Sequence, residues 1–185
     1  MKHVKQAFRR TRVMTGGALA VAIAAGGIGV YSAGASTDEA PAVVAAAAEG
    51  NVMQSDHLMI EAAQEAAEAA LEEAAKQNQR VTVAIVDRDG NTVLTLRGDG
   101  AGPQSYESAV KKAFTAVSWN APTSELVKRL ENAPDLKDIP GTLFLAGGAP
   151  ATVDGAPVAG IGVTGAPSGA IDEEIAQAGI AALSE

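Results

Sequence analysis

Four glutamates, Glu61, Glu65, Glu68 and Glu72, recur at intervals of four, three and four residues. At about 100° per residue this spacing gathers them in a narrow arc of a helix. Glu61/Glu65 and Glu68/Glu72 then repel by roughly a few tenths of a kcal/mol per pair. Of the four, only Glu72 has a cation four residues on, Lys76. A hard cation would relieve the repulsion, and oxygen ligands suit ferric iron, calcium or magnesium. The same stripe also serves as the solvated face of an Ala-rich helix.

A second constellation lies on a helix expected over 105–120. Ser108, Lys111, Lys112, Thr115, Ser118 and Trp119 fall away from its apolar stripe of Tyr106, Ala109, Val110, Ala113, Phe114 and Val117. Thr115 is three or four residues from each of Lys111, Lys112, Ser118 and Trp119, so they share one side. Trp119 offers a flat apolar surface and the lysines offer charge to carboxylates. A planar dianionic ligand fits such a surface; so does a contact between subunits.

Other chemistries are poorly supplied. With no cysteine among its 185 residues, the chain has no disulfide, no thiolate metal site and no Cys nucleophile. The stretch Gly160-Ile161-Gly162-Val163-Thr164-Gly165 fits G-x-G-x-x-G, but no βαβ unit can follow before Glu185. These glycines are expected instead to let a strand pack closely and bend into a loop. His57 is expected in the first turn of a helix, facing water, with a ligand role as the alternative. A Ser-His-Asp site would depend on it, and no G-x-S-x-G elbow exists. The excess of 22 acidic over 14 basic residues argues against nucleic acid as a partner.

Residues 1–35 read as an export signal. Lys2, Lys5, Arg9, Arg10 and Arg12 precede an apolar run from Val13 to Val30, and Ala33-Gly34-Ala35 offers a cleavage site. Arg9-Arg10 suggests the twin-arginine route, with general secretion as the alternative. Six glycines between residues 16 and 34 make the run a poor membrane anchor. Cleavage would leave 9 basic against 22 acidic residues, a net charge of −13. Residues 36–54 read as a mobile Ala-rich leader and 55–185 as one domain.

The elements that must position these side chains follow from periodicity and punctuation. Ser55 caps a helix running to about Asn78, with Ile60, Ala63, Ala67, Ala70, Leu71 and Ala74 on its inner face. Strands are expected at 81–86 and 92–96, joined through Asp87-Arg88-Asp89-Gly90-Asn91. After the 105–120 helix, Thr123 caps a short helix at 124–130. Strands follow at 141–145 and on both sides of an Asp154-Gly155 tip, and Asp172-Glu173-Glu174 opens a last helix. The order α-β-β-α-α-β-β-β-α with short turns predicts an antiparallel sheet and an α+β fold.

The turn Val86-Asp87-Arg88-Asp89-Gly90-Asn91, Arg97-Gly98-Asp99-Gly100-Ala101 and Lys112-Ala113-Phe114-Thr115-Ala116 combine with Pro122-Thr123-Ser124. Gly147-Gly148-Ala149-Pro150, the 160–165 glycines, Asp172-Glu173-Glu174 and Ala178-Gly179 complete the series. In this order and spacing they resemble the GlcG/HbpS haem-binding family over about 55–185. The resemblance implies a profilin-like sheet flanked by helices that assembles into a homo-oligomer, an octamer. It implies haem b bound by subunit surfaces, with a threonine oxygen as axial ligand. The K-A-x-T-A motif assigns that role to Thr115, beside Lys111, Lys112 and Trp119, with Thr123 as the second candidate. It also implies ferric iron on acidic pairs spaced as Glu65 and Glu68 are, within the Glu61–Glu72 stripe.

The function implied is a secreted haem and iron binder that senses haem or redox stress and modulates a membrane sensor histidine kinase. Its location is extracellular, with the cell wall as an alternative. A haem-degrading or small-metabolite enzyme is the competing reading. Against it stands the scarcity of acid–base residues, one His and one Tyr in the mature chain. A structural assembly whose Trp119 face only packs subunits is the third.

Overall fold

The computed structural model of the protein describes residues 46–184. The export signal at 1–35 and most of the leader lie outside the described residues. Eight main elements follow: α1 (Ile60–Lys76), β1 (Thr82–Asp87), β2 (Thr92–Arg97), α2 (Ser105–Trp119), α3 (Thr123–Arg129), β3 (Gly148–Val153), β4 (Ala156–Thr164) and α4 (Gly169–Ala182). Two short 3-10 turns, Glu49–Asn51 and Pro134–Asp138, complete the set.

The strands form one antiparallel sheet in the order β2-β1-β4-β3. This is the α+β architecture that short turns and alternating segments predict. β1 is central, with Val83 opposite Val163 and Ile85 opposite Ile161. Helices cover both of its faces, so Thr82 to Val86 are all buried rather than alternating. The larger core lies under α1 and α4, where Ala63, Ala67 and Ala70 of α1 meet Ile85, Ile161 and Ile175. Alanines suffice there because the two helices approach closely; a Cβ at Gly179 of α4 would sit 2.7 Å from the Ala66 carbonyl oxygen.

α2 packs on the opposite face. Gly160 and Gly162 of β4 make this possible: a Cβ on either would collide with the carbonyl oxygen of Ala113 or Ala109. The G-x-G-x-x-G run therefore serves helix–sheet packing. At its end, Gly165 turns the chain at a φ of +141°.

Four local expectations are corrected. Residues 141–145 form no strand; Thr142 to Leu145 run as an irregular loop, and the chain enters the sheet only at Gly148. α1 begins at Ile60 with no side-chain cap, so Ser55 and His57 precede it, and Ile60 itself is exposed. α4 begins at Gly169, capped by the Ser168 hydroxyl, which accepts from the Ile171 N–H. Thr123 is the first residue of α3 rather than its cap, because its hydroxyl is occupied elsewhere.

Candidate functional site

The glutamate stripe forms as the periodicity requires. Glu61, Glu65, Glu68 and Glu72 are all exposed on α1, while Ala63, Ala66, Ala67, Ala70 and Ala74 face inward. Glu68 accepts a hydrogen bond from Gln64 Nε2 at 2.9 Å. Lys76 pairs with Glu73 at 3.2 Å, so it leaves the stripe unneutralised. The Gln77 amide, followed by Lys76, holds the Glu73 carboxyl below its ordinary value. Among the described residues, no three His, Asp or Glu side chains converge into a metal cluster.

The second side of α2 is not one surface. Lys111 and Ser118 are exposed, but Lys112 and Thr115 are buried. Lys112 sits three residues from Ala109 and four from Ala116, on the small-residue face that the sheet covers. Its Nζ donates to Asp172 Oδ2 at 2.7 Å and to the Val163 carbonyl at 2.9 Å. Thr115 Oγ1 donates to the Lys111 carbonyl at 2.7 Å and accepts from the Leu143 N–H at 2.8 Å. Trp119 is half-buried, its ring edge-on to Phe144 with centroids 5.3 Å apart. Leu126 and Ala121 are buried in the same small cluster.

α4 supplies the polar partners, Asp172 and Glu173, which the residue pattern placed only as acids opening a helix. Asp172 Oδ1 accepts from the Ala166 N–H at 2.9 Å, so one carboxylate ties α2 to the loop after β4. Burial pushes its carboxyl above the ordinary value, against the lowering effect of Lys112 and of the Ala166 and Gly165 amides. Glu173 accepts from the Ser124 N–H at 2.9 Å, from the Ser124 hydroxyl and from the Gly147 N–H at 3.3 Å. It thus caps α3 from another helix. Thr123 Oγ1 accepts from the Gly148 N–H at 2.8 Å, locking the start of β3 beside it.

The structure therefore brings Lys112 and Thr123 into one interior network with Asp172, Glu173 and Ser124, and leaves Thr115 and Trp119 near the 139–147 loop. One signal in the residues could have suggested this. A lysine on an Ala-lined helix face is a candidate for burial, and a buried ammonium requires a carboxylate. Between α2, α3 and the start of α4 the network borders an open cleft of about 510 Å³, reached by Ser108, Lys112, Ser124, Leu145, Ser168 and Asp172.

His57 lies outside this network. It is half exposed, with Nδ1 3.8 Å from an Asp89 carboxylate oxygen and Nε2 3.0 Å from the Ser55 hydroxyl. Asp87 organises the β1–β2 turn by accepting from the Asn91 and Asp89 N–H groups at 2.8 and 2.9 Å. Partial burial raises its carboxyl, but these bonds outweigh burial and hold it below the ordinary value.

This α+β domain, with helices on both faces of a four-stranded antiparallel sheet, belongs to the HbpS-like family. The family model described as haem degrading protein HbpS-like matches residues 58–181. The chain is 70% identical to HbpS in its crystal structure, covering 74% of this chain and 97% of that one, with a TM-score of 0.73. A Streptomyces reticuli HbpS variant, with two glutamates three residues apart changed to aspartate, is 68% identical. That match covers 76% of this chain and 96% of that one, at a TM-score of 0.74. The chain is also similar to a PduOC:heme complex, at 31% identity over 69% of this chain and 95% of that one, with a TM-score of 0.63. Among curated proteins, the corrinoid adenosyltransferase PduO of Salmonella typhimurium is 35% identical over 120 residues, 62% of this chain. The chain spans only about a third of that relative's length, 35%.

Proposed function

We propose that this is an exported haem- and iron-binding protein that senses haem or redox stress and modulates a membrane sensor histidine kinase as a homo-oligomer. The observation that carries the reading is the 70% identity to HbpS over 97% of that chain. The heme complex of a relative on the same fold supports haem as the ligand. Export rests on the basic, apolar and small-residue order of residues 1–35.

Thr115 is the axial candidate, and that role requires the 139–147 loop to give way. Its oxygen is buried, and both its proton and a lone pair are engaged by Lys111 and Leu143. Lys112 and Thr123 are likewise committed to the interior network. Haem, when bound, would supply a redox-active iron. The groups this chain exposes for its propionates include Lys111, 3.8 Å from the Glu107 carboxylate, and the half-buried Trp119 lies about two turns further along α2.

A hemin titration followed at the Soret band tests the reading. A saturable band at a defined haem-to-subunit ratio is expected, and an unshifted free-hemin spectrum would sink it. Thr115→Ala should shift the band; an unchanged spectrum would rule out this ligand.

Ferric iron on the exposed Glu65 and Glu68 pair is the second part of the reading. Its support is the unneutralised stripe and the HbpS variant altered at two glutamates with the same spacing. The competing activity, haem degradation, takes its support from the family description. It predicts catalytic loss of the Soret band with peroxide and release of product.

A further inference from the structure

We propose that the cleft between α2, α3 and the start of α4 binds a small neutral polyhydroxy molecule, a polyol or a monosaccharide. The inference goes beyond the haem reading and stands without it.

The cleft, about 510 Å³, is of the size that takes a small metabolite. Its wall includes a built charged pair: Lys112 is 3% exposed, Asp172 is 4% exposed, and they meet at 2.7 Å. The pair sets the ligand's charge. A bound anion would find the ammonium already matched by Asp172. A cation would find both Asp172 oxygens engaged, one by Lys112 and one by the Ala166 N–H.

The remaining polar groups set its chemistry. An ammonium has three N–H donors, and two from Lys112 are used, on Asp172 and Val163. Ser108 and Ser168 add hydroxyls and Gln104 an amide, groups that both donate and accept. Val127, Leu145 and Pro167 supply apolar wall for C–H faces. Hydroxyls that donate and accept beside C–H surface are what a sugar or polyol presents.

Saturation-transfer NMR on the purified full-length chain with D-ribose tests this. Saturable transfer is expected. Ser108→Leu, filling the cleft from α2, should weaken ribose at least tenfold. Ala170→Phe, filling it from the exposed start of α4, should do the same. Lys76→Ala, at the exposed end of α1 on the other face of the sheet, should change affinity less than twofold. Circular dichroism establishes that each variant is folded. No saturable ribose signal would overturn the proposal, as would binding that survives both cleft-filling variants. Inorganic phosphate bound in place of ribose, and lost in the same two variants, would overturn the neutral ligand class.

Discussion

Glu61, Glu65, Glu68 and Glu72 on α1, and Asp172 and Glu173 on α4, are carboxylates of two helices packed side by side on the same face of the sheet. The α1 set is exposed and faces water. The α4 pair is buried and holds three segments together: α2 through Lys112, α3 through Ser124, and the 147 region through Gly147. The difference is one of coverage rather than residue type. A carboxylate in water keeps its hydration and stays free for an incoming cation. A carboxylate under other elements has to find donors inside, and once it has them it becomes structural.

The comparison breaks most sharply at Asp172. Asp172→Asn leaves Lys112 charged and buried without its partner, and should cost about 3–5 kcal/mol in urea unfolding. Replacing both partners, Lys112→Met with Asp172→Leu, should restore much of this, because two apolar groups need no desolvated charge to be matched. A double variant as unstable as the single would mean that the pair's packing, rather than its charge, is what the fold requires.

Glu173→Ala comes next. It removes the acceptor for Ser124 and Gly147 and uncaps α3, with an expected loss of about 2–3 kcal/mol by the same measurement. Amide exchange should rise first in residues 123–129, the helix that loses its cap.

Asp87 is a smaller case, a half-buried carboxylate whose bonds are local. Its lowered value means that its contribution is present above the ordinary carboxylate value of about 3.9 and is lost as pH falls through the folded value. The wild type should exceed Asp87→Ala by about 1 kcal/mol at pH 6. Part of that gap, the part owed to the charge, should shrink on acidification below pH 4. A gap independent of pH would show that the turn does not depend on the charge.

The smallest stability effect belongs to the exposed stripe. Glu65→Gln with Glu68→Gln should change unfolding by less than about 0.5 kcal/mol, if anything stabilising as repulsion is relieved. The same variant should lose ferric iron while haem uptake is unchanged. Iron binding that survives intact would make the stripe a solvated face.

Periodicity made most of the helices and the two hairpins legible because it reports a local property, the angle at which side chains leave the backbone. It also placed the α1 stripe correctly, since an exposed arc needs nothing from the rest of the chain. The 141–145 segment misled for the opposite reason. Thr142-Leu143-Phe144-Leu145 has strand-like residues, but it pairs with no strand of the sheet. Phe144 instead packs with Trp119 and Leu126. Lys112 misled because a lysine beside Lys111 reads as charge on a surface, whereas successive helix residues point about 100° apart.

The residues by themselves determined the α+β class, the β1–β2 hairpin, the close-packing glycines of β4 and the acidic face of α1. Each depends on side-chain spacing or backbone freedom within a few neighbouring positions. Only the tertiary structure decided which carboxylates are structural, which lysine is buried, and that Thr115 bonds to Leu143. Those pairings join residues 28 to 60 positions apart. No local pattern encodes a partner that distant, because the sheet and its covering helices must form before the two groups share one desolvated space.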